Sequence, residues 1–379
     1  EVALDALIDQ YTQNETIRQL DKFVDNLPVY DTKEIKENLS NIVLALDEKT
    51  YSAEGVYDMS NIMLFRPPED IAKLRFHLGL NNTFDAVIGG MAREEYLLIG
   101  GKRGSGKSIT AANICVNQYE AGNTSAYFTI EMTGRETLER IMAIHAQVPH
   151  RNIKKGLLTD QEALSLVKAR AAMFKESDGH VMDFMKHRDR YRFEEQLVRG
   201  CKLKEDNQMI IVDDRALSLT TLDLHLGKIK ARFGDKFTVA VVDYVNQIVI
   251  EGVDKYDWKP QITVSTKLKD LARKYGVIMV SPYQIDATGE ARFSKGILDS
   301  ADIGLVMEAG ETTMSFDTTK IRGDAEMKFT SAIDWDTLRI SPVPMEEPEK
   351  EEKIQKAGKK KKKETEPTDD SGSDLPWDA

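Results

Sequence analysis

The stretch Gly101-Lys102-Arg103-Gly104-Ser105-Gly106-Lys107-Ser108 matches G-x-x-x-x-G-K-[ST] at every fixed position. Before it, Tyr96-Leu97-Leu98-Ile99 reads as a short buried strand; after it, Thr110 to Val116 reads as an opening helix. Glycines at 101, 104 and 106 let the loop take positive φ and turn successive N–H groups inward, an anion site at a helix N-terminus. In a loop of this kind Gly101, Gly104, Ser105 and Gly106 wrap the phosphates, and Lys107 reaches the β- and γ-phosphates. The Ser108 hydroxyl sits on Mg²⁺. The stretch predicts a P-loop fold that takes ATP and Mg²⁺.

Composition sets the frame. The 379 residues allow two or three structural units. A hydrophobic share of 41% beside 30% charged residues is that of an ordinary globular chain. No apolar run reaches the roughly 18 residues that span a bilayer. The opening Glu1-Val2-Ala3-Leu4-Asp5 lacks a signal-peptide layout, so the expected location is the cytoplasm, without membrane attachment. Glu1 in place of Met implies a start that is processed, trimmed or part of a longer chain. Cys115 and Cys201 are too few for a disulfide framework or a Cys-x-x-Cys metal site, and fit a reducing compartment. A net charge of −11 argues against a wholly basic nucleic-acid protein but leaves a local basic channel open.

Three regions separate. Residues 1–70 carry helix-period apolar positions, Leu20, Phe23, Val24 and Leu27, then Ile35, Leu39, Ile42, Val43 and Leu46. Asp31-Thr32-Lys33-Glu34 opens the second helix with an N-cap. Residues 71–345 alternate short β-branched runs with helical stretches, which predicts an α/β fold: a mostly parallel sheet with helices on both faces. The expected strands are 95–100, 125–130, 209–213, 237–243, 276–282 and 302–307. Runs at 313–322, 326–333 and 337–341 read as a terminal antiparallel meander. The charged stretch 175–206 reads as helices over the sheet with a mobile segment. Residues 346–379 hold the lysine run Lys359–Lys363 and an acidic end, and are expected to be disordered.

Three further motifs carry chemistry. Ser125 to Ile130 runs into Glu131, placing a carboxylate at the end of the strand next to the P-loop strand; a helix cap is the plainer reading of that acid. Thr238 to Val242 is an apolar strand ending in Asp243, the Walker B pattern, whose carboxylate enters the Mg²⁺ shell through water. Val277 to Ser281 leads to Gln284, which can bond phosphate or water and move a loop when the nucleotide changes. Beyond it, the polar segment Asp286 to Lys295 carries Arg292 and Lys295, suited to a polyanion and equally to an ordinary solvated loop.

Over residues 78–341 the order of motifs resembles the hexameric replicative DNA helicases of the DnaB type, including those of large tailed phages. The carriers are Gly101 to Ser108, Thr129-Ile130-Glu131-Met132, Val242-Asp243-Tyr244, Gln284, Asp299-Ser300-Ala301-Asp302 and Thr319-Lys320-Ile321-Arg322-Gly323, joined by Leu157-Leu158-Thr159-Asp160. The resemblance implies that Glu131 is the catalytic base, Asp243 holds the metal and Gln284 couples nucleotide state to DNA loops. It implies that Lys320 and Arg322 reach the neighbouring subunit's γ-phosphate, which makes a homo-hexameric ring the natural state; two exposed cations on an alternating strand are the plainer reading. Single-stranded DNA would meet Lys255 and Lys259 after Asp243, and Arg292 and Lys295 after Gln284. The acidic end Glu364 to Ala379, with Leu375-Pro376-Trp377, is a candidate tether for a primase, DNA polymerase or single-strand-binding protein, or else a solubilising tail. The chain departs from the pattern in a short helical N-terminal part, no primase-like zinc motif, Asn246 where many members carry Gln, and no match over 171–207. A RecA-type recombination ATPase and a non-motor loader or scaffold subunit are the competing readings.

Overall fold

The computed structural model describes residues 2–50, 74–248, 258–285 and 295–344. A two-residue ladder pairs β1 (Arg75–Phe76) with β2 (Met91–Ala92). The main sheet is built from β3 (Tyr96–Gly101), β4 (Thr124–Thr129), β5 (Met209–Asp213), β6 (Phe237–Asp243), β7 (Ile278–Gln284), β8 (Ile303–Ala309), β9 (Thr313–Ile321), β10 (Lys328–Asp334) and β11 (Arg339–Pro344). Its order is β11-β10-β9-β8-β3-β7-β6-β4-β5, parallel from β8 to β5 and antiparallel from β8 to β11. The parallel half is buried on both faces, so β3, β4 and β6 read as unbroken buried runs rather than alternating ones.

Helices α1 (Val2–Asn26) and α2 (Thr32–Thr50) pack on each other, and α2 touches the later helix Leu219–Phe233. The predicted cap of α2 is present: the Glu34 N–H donates to Asp31 Oδ1 and the Asp31 N–H to Glu34 Oε2, each at 2.8 Å. Then come α3 (Asn82–Ile88), α4 (Lys107–Glu120), α5 (Gly134–Ala146), α6 (His150–Lys155), α7 (Asp160–Ala171), α8 (Asp178–His187), α9 (Arg190–Gly200), α10 (Leu219–Phe233) and α11 (Trp258–Tyr275). Alternation along the strands sorts the core. Leu97, Ile99, Tyr127, Val239 and Val241 join Ala111, Ile114 and Cys115 of α4 on one face. Leu98, Phe128, Ala240 and Val242 join Leu222, Leu226, Leu268 and Ala272 of α10 and α11 on the other.

One expectation needs correction. The strand carrying Glu131 follows the P-loop strand in sequence but not in space: β7 and β6 lie between β3 and β4. Parallel strands need crossover helices, so sequence neighbours need not pair. The segment 175–206 is built as α8 and α9, the helices expected there, tied by a bridge between Phe174 and Leu203. Phe174, Phe184, Phe193 and Leu197 bury together with Ala163 and Val167 of α7 and Met142 of α5, and that apolar cluster orders an otherwise charged segment. Thr159 has a local role here: it caps α7 in a box with Glu162.

Candidate active site

The P-loop forms where β3 ends and α4 begins. Gly106 is the N-cap of α4 with φ +87°, a region a side chain resists, and Met314 and Trp335 pack where a Cβ would stand. A Cβ on Gly101 would lie 2.3 Å from Ser105 Oγ. The Lys107 ammonium donates to the carbonyls of Gly101 and Lys102, each at 2.8 Å. Burial lowers its pKa, against the pull of the Asp243 and Glu131 carboxylates.

Asp243 closes β6. Period-2 alternation places it on the same side as Val239, Val241 and Tyr127, and the buried Tyr127 phenol donates to Asp243 Oδ2 at 2.5 Å. Asp243 is 5% exposed, and its other oxygen, Oδ1, has no hydrogen-bond partner among the described residues. Burial raises its pKa; Tyr127, Ser108 and Arg140 favour the charged form, and Glu131 opposes it. Burial first, then Asp243, holds the Tyr127 phenol well above its ordinary value, so it remains a donor.

Glu131 lies just beyond β4, where the Ile130 N–H meets the Asp243 carbonyl at 3.3 Å. It is exposed and does not cap the following helix, because Thr133 does so in a box with Glu136. It stands within electrostatic reach of Lys107, Asp243 and Tyr244. Gln284 is paired with Gly101 in the β3–β7 register, beside the start of the loop. Gly101 to Ser108, Glu131, Asp243 and Gln284 thus gather at the carboxyl ends of the parallel strands, where open α/β sheets bind ligands.

Lys320 and Arg322 lie at the other end. Ile321 pairs with Ile303, and Ile303 with Leu97, at the amino end of β3. From Leu97 to Gly101 a strand rises roughly 13 Å, so the two cations are remote from their own P-loop. Lys320 Nζ donates to the carbonyls of Leu298 and Asp299 at 2.9 Å each; burial and the nearby Arg322 lower its pKa. Arg322 pairs with Asp302 Oδ1 at 3.1 Å while its side chain stays 60% exposed. Asp302 Oδ2 also receives Lys269 Nζ at 2.5 Å and the Tyr96 N–H at 2.8 Å.

Of the DNA candidates, Lys255 and Arg292 lie outside the described residues, as do the side chains of Lys259 and Lys295. Their segments leave from the carboxyl ends of β6 and β7. The acidic end, Glu364 to Ala379, is outside as well, and so is the side chain of Asn246. Among the described residues no helix is long and apolar enough to cross a membrane.

The donors present fit Mg²⁺. Among the described residues no three His, Cys, Asp or Glu side chains converge as a metal cage. Mg²⁺ does not require one, since it binds through one or two protein oxygens plus phosphates and water. Among the described residues Asp243 Oδ1, beside the loop, and Ser105 Oγ, in it, are buried without a hydrogen-bond partner, and Ser108 is the hydroxyl near Asp243. Sequence reasoning missed Tyr127, which reads as one more strand aromatic until the β4–β6 register sets it near Asp243.

Residues 79–299 match the family described as DnaB-like helicase C terminal domain. Among curated proteins the chain is similar to the replicative DNA helicase DnaB of Haemophilus influenzae, with 22% identity over 316 residues, 78% of this chain and 61% of that protein. It is similar to that of Treponema pallidum as well, with 23% identity over 269 residues, 66% of this chain and 53% of that one. The chain therefore spans little more than half the length of these relatives. Among solved structures it resembles a DnaB-like replicative helicase studied with its primase interactions, at TM-score 0.61 and 13% identity, covering 89% of this chain and 77% of that one. It also resembles a second solved structure, an isolated ATPase domain, at TM-score 0.57 and 14% identity, covering 81% of this chain and 99% of that one. At such identities these likenesses speak for the fold alone.

Proposed function

The chain belongs to the family of DnaB-like helicase C-terminal domains, and on that premise we propose that it is an ATP-driven motor that forms a homo-hexameric ring, moves on single-stranded DNA and unwinds duplex. In this reading residues 1–70 are a helical linker, 71–345 the motor and 346–379 a partner-binding tail. The observation that carries it is the split of charged groups between the two ends of one sheet. Gly101 to Ser108, Glu131, Asp243 and Gln284 stand at the carboxyl ends, and Lys320 and Arg322 at the amino ends. One protomer thus offers half a phosphate site at each end, and two neighbours in a ring complete one.

The chemistry follows from the residues. Lys107 exchanges its two carbonyl partners for phosphate oxygens of ATP. Glu131, not engaged in capping, orients the attacking water and takes its proton. Gln284, paired with Gly101, senses the γ-phosphate and passes its loss to the segment that follows β7. Arg322 of one protomer meets charge developing on the γ-phosphate bound by the next. Asp243 and Ser108 would hold Mg²⁺, which when bound draws charge from the phosphate oxygens. Lys255, Lys259, Arg292 and Lys295 would grip the DNA backbone without reading sequence. One similar structure was studied with primase, and a primase, polymerase or single-strand-binding protein is the proposed partner of the tail.

The test combines electron microscopy with an unwinding assay. With an ATP analogue and single-stranded DNA the protein should form closed six-fold rings, and with ATP it should open a forked duplex, with Lys107→Ala inactive. Open filaments without unwinding would instead make it a recombination-type ATPase.

A further inference from the structure

We propose that Tyr127 is a positioning residue for the metal-binding carboxylate, fixing Asp243 so that one oxygen is presented to Mg²⁺ when nucleotide binds. The proposal rests on the nucleotide-site reading above and names a residue that reading does not use.

β4 pairs with β6 in parallel, and Tyr127 lies opposite Val241, two residues before Asp243. Both side chains therefore emerge on the α4 face, and the long tyrosine ring carries its hydroxyl along the strand direction to the carboxylate. The phenol is buried and its O–H is 2.5 Å from Asp243 Oδ2, whereas the Ser108 carbonyl is 3.4 Å away. A phenol has one hydrogen to donate, and the shorter contact to the charged acceptor is the stronger. Tyr127 thus touches the backbone of one candidate metal-binding residue and the side chain of the other.

The consequence is an asymmetric carboxylate. Oδ2 is occupied by the phenol, and Oδ1 is buried without a partner among the described residues. With one oxygen held, the group cannot turn freely about its last torsion, and the other oxygen is the one left for a ligand. A native structure keeps a buried unpaired carboxylate oxygen where an ion or water completes it. A phenylalanine would fill the same core space but leave Oδ2 unheld, so the packing role and the positioning role separate cleanly.

The test uses the full chain and a fluorescent non-hydrolysable ATP analogue, titrated in EDTA and at rising Mg²⁺. In the Tyr127→Phe protein the affinity in EDTA should stay within about twofold of wild type. The Mg²⁺ concentration for half-maximal tightening should rise about tenfold, as expected from one lost hydrogen bond to a charged group. The Tyr127→Phe/Asp243→Asn double variant should be no worse than Asp243→Asn alone, because Tyr127 acts through Asp243. An unchanged Mg²⁺ midpoint, an equal loss in EDTA, or a Tyr127→Phe chain that fails to fold would each make the phenol structural and overturn the proposal. Wild-type Mg²⁺ dependence in Asp243→Asn is a separate result: it would remove the reading of the metal site itself, and this proposal with it.

Discussion

Two aspartates, one at each end of the same sheet, are buried to almost the same degree and treated in opposite ways. Asp302 is 4% exposed and Asp243 is 5%. Asp302 has Lys269 and the Tyr96 N–H on one oxygen and Arg322 on the other. Asp243 has a phenol on one oxygen and no hydrogen bond to the other among the described residues. Burial alone therefore does not mark a site; the state of the remaining lone pairs does. Asp302 is finished within the protomer and serves as a frame that holds Arg322 at the rim. Asp243 keeps one buried oxygen unpaired among the described residues.

The largest effect expected from this contrast is on turnover. Glu131→Gln should retain ATP binding and lose about two to four orders of magnitude in hydrolysis, as removal of a positioned base does. Near-wild-type hydrolysis would take the base away from the carboxyl end. The next effect is on stability. Asp302→Ala leaves the largely buried Lys269 without its carboxylate and should destabilise the fold by about 3–5 kcal/mol in urea unfolding. A loss below about 1 kcal/mol would show that the cluster is not the frame described.

The smallest effect has the opposite sign. Burial raises the Asp243 pKa, so its contribution is favourable below the ordinary carboxylate range and is lost as pH rises through the raised value. Without nucleotide and Mg²⁺, Asp243→Asn should melt higher than wild type at pH 7. The gap should close on acidification below about pH 4. A lower melting temperature for Asp243→Asn at neutral pH would mean that the carboxylate is already satisfied and would erase the contrast.

Much of this was legible in the sequence. Gly101 to Ser108 dictated the strand, loop and helix at its place, and the parallel strands and the meander fell within a few residues of expectation, because buried runs bounded by turn residues have few other solutions. The sequence could not give the order of strands. It put Glu131 next to the P-loop strand, and only crossover packing shows two strands between. Tyr127 stayed hidden for the same reason, since its partner is 116 residues away and the contact exists only through the β4–β6 register. Asp302 appeared in a family motif without a role; its role comes from Lys269 and Arg322, which lie on separate elements. In 175–206 the high charge masked Phe184, Phe193 and Leu197, whose helical spacing was the available signal.

The central claim is that the two ends of the sheet serve different active sites, each completed by a neighbouring protomer. Mixing Glu131→Gln with Arg322→Ala tests it most directly, with mixed assemblies demonstrated by mass. Each protein alone should bind ATP and hydrolyse it poorly, and the mixture should regain part of wild-type activity, because some interfaces then pair an intact Glu131 with an intact Arg322. Mixed assemblies with no recovery at any ratio would contradict the account and leave Arg322 as the partner of Asp302 alone.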